Sequence, residues 1–549
     1  MDLYTLKAQY LSGEDVYIRL ELEPEEKTDR QVLVCVWFLE TLVLEKTVII
    51  TENSTDINIG KFRENFCGYG VTVSLNEKGD GKLLETAFDV VENPRQSLRY
   101  GFVSDFRTED KENGAIEELR KYHINMVQYY DWSHRHDQLV SEERIYTDMM
   151  GKLIDSETVK EKIEKARSYG MESIAYGAVY AASKDFYEKH KEWAFYNSNQ
   201  EVFKFIEVFY IMNIAKKSPW RKHLIEQYGQ AIERMGFSGI HMDTYGFPKK
   251  AYSHLNHTVE QVKLQNEFGS LIDETRETLK DKNPLLIFNN VGNWPVNKTA
   301  PSGVDAVYIE VWKPYERYFH IKQLIREAKI FSEYKKPVIL AAYLEPFRLE
   351  DMASASYAAY ILTAAIITNG AYHLLLGEKN SVLTQGYYGD YTKMAPETAC
   401  VMRHYYDFMI RYMNLFYDET LEDVSMTHIG WDNYEYQCMF DNWSPYGEAG
   451  KVWLTIRENE KLKTLSLINL CGCMEDYWNK GKNAPTVQKN LTFCIHVEKE
   501  IKGVWCASPD EDSCGSSPIA YEYFFNEKGR FIKFSVPKLS VWSLIYIRL

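Results

Sequence analysis

Hydrophobic and polar positions fall into three textures along the chain. Up to residue 98, short runs alternate between apolar and polar, as in Val32-Leu33-Val34-Cys35-Val36-Trp37-Phe38 and Tyr69-Gly70-Val71-Thr72-Val73, with a turn at Asn76-Glu77-Lys78-Gly79-Asp80-Gly81. A period of two marks half-buried strands, so residues 1–98 are predicted to form an antiparallel, immunoglobulin-like β-sandwich. From 99 to 418, apolar strands alternate with helical patterns. Strands are predicted at 100–104, 125–130, 173–177, 239–242, 285–288, 306–309, 338–342 and 371–375, with helices between them such as Pro219 to Met235 and Glu316 to Glu333. Repeated βα units of this kind predict a (β/α)8 TIM barrel. A doubly wound sheet is disfavoured because no Gly-rich phosphate loop follows the first strand. From 419 to 549, alternation returns without long helices, at 434–440, 465–470 and 531–536, and predicts a second β-sandwich. The expected fold is therefore multidomain, a catalytic barrel between two antiparallel β-sandwiches.

In such a barrel the chemistry sits at the C-terminal ends of the strands. Two acids end apolar strands there. Asp243 follows Gly239-Ile240-His241-Met242, and Glu310 follows Val307-Tyr308-Ile309. On the fourth and sixth strands they face one another across a single neighbour. Paired carboxylates framed by Tyr245 and Trp312 suit glycoside hydrolysis, in which one ionised group attacks or supports the anomeric carbon and a protonated one donates to the leaving oxygen. Spacing alone does not say which acid takes which role. A third cluster, Tyr129-Tyr130-Asp131-Trp132-Ser133-His134-Arg135-His136-Asp137, follows the second strand. His134 and His136 lack further ligands at metal-binding spacing, so the run reads as hydroxyl recognition rather than a metal site. Candidate sugar platforms at strand ends are Trp132, Tyr176, Tyr245, Trp312 and Tyr343, with Tyr130 in the same run. Candidate hydroxyl partners are His136, Asp137, Asn290 and Asp105, and His241 is a candidate donor to Asp243. No cofactor or metal is expected.

Composition narrows the class. With 64 basic and 79 acidic residues the formal charge is −15, which disfavours nucleic acid as a partner. No apolar run approaches the ~20 residues that span a bilayer. The 40 Tyr, 26 Phe and 12 Trp supply many flat faces for sugars. Nine Cys, an odd number with no second close pair, read as buried thiols.

Several motifs carry a resemblance: Arg99-Tyr100-Gly101-Phe102-Val103-Ser104, the 130–137 run, Tyr210-Ile211-Met212-Asn213 ahead of Trp220, Gly239 to Gly246, Tyr308-Ile309-Glu310-Val311-Trp312, Ala341-Ala342-Tyr343, and Leu376-Gly377-Glu378 with Tyr387-Tyr388. Together they resemble glycoside hydrolase family 66, the endo-dextranases and cycloisomaltooligosaccharide glucanotransferases. The resemblance implies a retaining mechanism with Asp243 as nucleophile and Glu310 as general acid/base, and α-1,6-glucan (dextran or isomalto-oligosaccharides) as substrate. Glucanotransferases of the family carry an additional β module within the catalytic region, and the close succession of elements from 285 to 376 leaves no room for one. Endo-hydrolysis is therefore expected over cyclisation or transfer, with a catalytically silent glucan-binding protein as the remaining alternative. Met1-Asp2-Leu3-Tyr4-Thr5-Leu6-Lys7 has no basic or apolar leader, so the chain as written is expected in the cytoplasm, where imported isomalto-oligosaccharides would be its substrate; a trimmed chain would be a secreted one.

Overall fold

The computed structural model describes residues 1–26, 29–76, 82–111 and 114–549. Of the turn expected at 76–81, all but Asn76 lies outside the described residues. At the centre is a parallel sheet of β1 (Tyr100–Val103), β2 (Met126–Tyr129), β3 (Glu172–Ala178), β4 (Gly239–Asp243), β5 (Leu285–Val291), β6 (Ala306–Glu310), β7 (Val338–Ala341) and β8 (Tyr372–Leu374). These strands pair in chain order, each parallel to the next. Just beyond β8, Leu376–Gly377 pairs parallel with β1, so the sheet curls back on its first strand. Gly377 permits this return, since a Cβ there would stand 2.2 Å from Cε1 of Phe102.

Every predicted central strand is present. A parallel sheet covered on both faces needs unbroken apolar strands, and Leu285 to Phe288 and Val338 to Ala341 are buried throughout. The predicted helix from Pro219 is α-helical to Gln230 and widens into a π-helical turn at Ala231–Met235; the one from Glu316 begins at Tyr318 and ends at Phe331. Asp155, Ser218 and Asp351 cap the helices Ser156–Ser168, Pro219–Gln230 and Met352–Thr368 by accepting first-turn amides. The last of these is buried on nearly every side. No helix among the described residues is long and apolar enough to cross a membrane.

The N-terminal region contributes a three-stranded and a five-stranded sheet whose side chains share one apolar cluster, including Val16, Ile18, Val34, Val71 and Phe88. Buried Arg99, just before β1, joins it to the centre by a two-pronged pair with Asp89 at 2.9 and 3.0 Å and by donation to the carbonyls of Ala8 and His123. The C-terminal region adds a seven-stranded and a four-stranded sheet around a second cluster. Its outer residues Trp453, Ile468, Trp542 and Leu544 belong instead to the central core. The chain is multidomain, and the C-terminal part is packed into the catalytic region rather than tethered to it.

Candidate active site

A cavity of about 440 Å³ opens at the C-terminal ends of the central strands. Asp243 and Glu310, the last residues of β4 and β6, line it. Both are buried, 9% and 8% exposed. Between them, on β5, Asn289 points the same way. Its Nδ2 donates to Asp243 Oδ1 at 2.7 Å and to Glu310 Oε2 at 3.0 Å. One nitrogen at those two distances holds the oxygens no more than 5.7 Å apart.

Two tyrosines complete the arrangement. Tyr176 donates its hydroxyl to Asp243 Oδ2 at 2.7 Å, and Tyr343 to Glu310 Oε1 at 2.8 Å. Burial and neighbouring charge hold both phenols far above their ordinary range, so they keep the protons they donate. Tyr388 lies behind, 3.3 Å from the Tyr343 hydroxyl and 3.1 Å from that of Tyr308. Burial, then the nearby Glu310 charge, pushes Asp243 up to about 7 against the donors Asn289 and Tyr176. Burial also raises Glu310 above the ordinary carboxylate range, opposed by Asn289 and Tyr343. Two carboxyls this close and this buried favour sharing a single negative charge, leaving one proton to give.

The expected residues divide. Tyr130, His136, Tyr176, His241, Tyr245, Trp312 and Tyr343 line the cavity. His136 is held neutral by burial, its pKa near 4, with Nδ1 unpartnered among the described residues. Trp312 stands at the rim, 42% exposed, edge-on to Tyr343. His241 does not serve Asp243 as expected. Its Nδ1 lies 2.7 Å from the Tyr100 hydroxyl, and burial lowers its pKa to about 3, so it is neutral.

Four expectations are corrected in place, because these side chains are absent from the cavity lining. Trp132 is 0% exposed, packed on Phe237 with its indole donating to the Tyr176 carbonyl. Asp137 accepts the Ser183 amide at 2.5 Å and pins the chain after β3. Asp105 is taken up by Lys379 and the Tyr391 hydroxyl. Asn290 faces away from the mouth, donating to the Tyr308 carbonyl and accepting from Thr299. Alternation along β5 turns neighbouring side chains to opposite faces, so the inward asparagine is Asn289.

Sequence reasoning named none of Asn289, Gln128, Tyr308 and Tyr388 as site residues, and Asp131 only within the 129–137 run, yet all five line the cavity. Asp131 is a third buried acid, in left-handed backbone at φ 50°, pushed up to about 7 by burial and the charge of Asp148. Gln128 Oε1 and Asn289 Oδ1 are buried and without partners among the described residues, which leaves them free to accept from ligand hydroxyls. The strand-end rule had the means to find Gln128 and Asp131, which occupy β2 and the loop after it. Three potential metal ligands, Glu85, His404 and Cys514, gather elsewhere, and none lines the cavity.

A strand-end mouth with buried, bridged carboxylates, aromatic walls and unpartnered hydrogen-bonding groups is the site of a glycosidase. The chain belongs to glycosyl hydrolase family 66, whose model matches residues 5–546. It is 23% identical to a cycloisomaltooligosaccharide glucanotransferase of Niallia circulans, over the whole of this chain and 72% of the relative. It is 22% identical to a dextranase of Streptococcus salivarius, over 88% of this chain and 68% of the relative. Among solved structures, a Paenibacillus sp. cycloisomaltooligosaccharide glucanotransferase complexed with cycloisomaltoheptaose superposes with TM-score 0.89 at 21% identity, covering 100% of this chain and 99% of that one. An α-amylase of Geobacillus thermoleovorans gives TM-score 0.53 at 9% identity, over 83% of this chain and 100% of that one.

Proposed function

We propose that this chain is a retaining endo-hydrolase of α-1,6-glucan, with Asp243 as nucleophile and Glu310 as general acid/base. The observation that carries the mechanism is the Asn289 bridge. A shared donor that keeps the two bridged oxygens within 5.7 Å supports the short carboxyl separation, about 5–5.5 Å, at which one carboxylate attacks directly, over the roughly 6.5–9.5 Å that admits a water in inversion. Asp243, with its charge held by Tyr176 and Asn289, attacks the anomeric carbon as Glu310 protonates the departing oxygen. Glu310 then takes a proton from water, which releases the sugar from Asp243. The central sheet acts as a closed (β/α)8 barrel over about 99–418, with β-sandwiches over 1–98 and 419–549.

The names of the two relatives support dextran or isomalto-oligosaccharides as substrate. Hydrolysis is favoured over cyclisation because the strands and helices from Leu285 to Leu374 follow one another at short intervals, with no additional β module among them. The second reading, transfer to form cyclic or longer isomalto-oligosaccharides, draws on the names of the Niallia circulans relative and of the Paenibacillus sp. structure. Incubation with dextran, isomaltotetraose, starch and pullulan tests both. Linear α-anomeric products from the first two alone are expected. First-formed β-anomers would overturn retention, and cyclic products would favour the second reading.

A further inference from the structure

Away from the catalytic mouth, three side chains able to ligate metals meet where the three regions of the chain touch. Glu85 lies on the N-terminal strand Leu83–Val91, His404 on the helix Pro396–Arg411, and Cys514 in a C-terminal loop. A carboxylate oxygen, a ring nitrogen and the thiol sulfur stand within 4.8 Å of one another. Tetrahedral zinc, with bonds of roughly 2.0–2.3 Å to atoms of these types, holds neighbouring ligand atoms about 3.3–3.6 Å apart, so small side-chain rotations close the set.

The backbone around the cluster is fixed. The Cys514 amide donates to Glu85 Oε2 at 2.8 Å, the Ser513 hydroxyl to Oε1 at 2.5 Å, and Tyr412 to the Cys514 carbonyl at 2.9 Å. Asp407, one turn after His404, accepts the Thr86 hydroxyl and the Ala87 amide, both at 3.0 Å, which sets that face of the helix beside Glu85. Hydrogen bonds to a ligating carboxylate are what orient it toward a metal. The His404 ring has no hydrogen bond, ion pair or ring contact among the described residues, so its nitrogens are unspent. The thiol's own contact is weak, 3.6 Å to the His404 carbonyl.

The surroundings suit a cation. Burial, then the charges of Glu85, Asp407 and Asp510 against that of Arg411, holds the Cys514 thiol well above its ordinary range. Three acids opposed by one base leave the local field negative. A cavity of about 350 Å³, lined by Glu85, Ser513 and Gly515, gives an ion and its water a way in.

We propose that Glu85, His404 and Cys514 form a zinc site, with water in the fourth position, and that the ion staples the three regions together. On binding, the thiol proton passes to solvent as the zinc–sulfur bond forms. An ion held by the folded chain stabilises it by mass action, so the melting temperature becomes dependent on zinc.

The test uses the full chain, treated with a chelator and desalted. Zinc is expected to bind at one equivalent by isothermal titration calorimetry, and cobalt(II) in its place to give the intense near-ultraviolet absorption of a thiolate–metal bond. Cys514→Ser and His404→Ala should abolish that absorption and weaken zinc binding by about a hundredfold or more. Cys400→Ser, which removes the exposed thiol one turn before His404, should keep both. Melting curves report whether each variant has folded, and where one has not, wild type decides alone: its Tm should climb across a zinc series. No absorption in wild type, its survival in folded Cys514→Ser, its loss in Cys400→Ser, or a Tm indifferent to zinc would each overturn the assignment.

Discussion

The hydroxyl of Tyr176 lies 2.7 Å from Oδ2 of Asp243 and donates to it. A hydrogen bond to the charged form lowers a carboxyl's pKa, so this contact restrains the rise that burial imposes on Asp243. Tyr176→Phe removes it, and the pKa of the pair's base climbs further. If Asp243 must be ionised to attack, the acidic limb of the pH dependence of kcat/KM, already above the ordinary carboxylate range, moves to still higher pH. A profile that scales down without moving would count against this role for Tyr176.

Asn289 presents one donor to two acids. Asn289→Ala leaves the two buried carboxyls without a common partner, and kcat is expected to fall by roughly 10²-fold, comparable to losing one donor from an oxyanion hole. Asn290→Ala, on the opposite face of the same strand, should leave kcat nearly unchanged on the folded enzyme. Steady-state kinetics of both variants on dextran check the pair.

Glu310→Ala and Asp243→Ala separate the two roles. With a glucosyl donor bearing a good leaving group, the Glu310→Ala enzyme is expected to form the glycosyl-enzyme and stall, and azide should release an α-glucosyl azide. Asp243→Ala with azide should give the β-azide instead, because azide then attacks where the carboxylate stood. A β-azide from Glu310→Ala would mean an inverting site.

Asp131 predicts a pH-dependent stability. Its pKa in the folded chain is raised to about 7, against about 4 when unfolded. Between these values the folded state binds the extra proton, so this group's contribution favours folding at low pH and is lost as pH rises from about 4 through 7. Asp131→Asn removes that penalty. Thermal melts should show its Tm rising relative to wild type more at pH 7.5 than at pH 4.5, and an equal change at both would contradict the buried, charged placement.

Trp132 and Trp312 were candidates of the same kind and are predicted to behave oppositely. Trp132→Ala empties a fully buried site and should cost about 3–5 kcal/mol of stability. Trp312→Ala, at the rim, should leave Tm nearly unchanged and raise KM. Differential scanning calorimetry beside kinetics distinguishes them.

The central strands and the two acids were legible because an apolar run ending in a carboxylate is a strong local signal, and the register of a parallel sheet then brings β4 and β6 to one mouth. Asn289 was not. In Leu285-Leu286-Ile287-Phe288-Asn289-Asn290 both faces are buried, so no polar alternation marks which asparagine points inward, and only pairing with β4 and β6 decides it. Trp132 failed for a related reason. An aromatic after a strand end reads alike whether its loop opens to solvent or folds back, and here it folds back under Tyr176.

The helix Met352–Thr368 has almost no side fit for water. Thr368 bonds Ser466 at 2.8 Å, Ser466 accepts the Trp542 indole at 2.9 Å, and that tryptophan sits in the central core. The C-terminal sheet therefore covers one apolar side of this helix, and neighbouring helices and the central sheet cover the others. Cutting the chain after the catalytic region would strip that cover and leave a sticky, aggregating fragment rather than a smaller enzyme. Over evolutionary time, the same contact ties the two parts into one heritable unit: a C-terminal part from elsewhere could be grafted on only if it carried a matching greasy footprint.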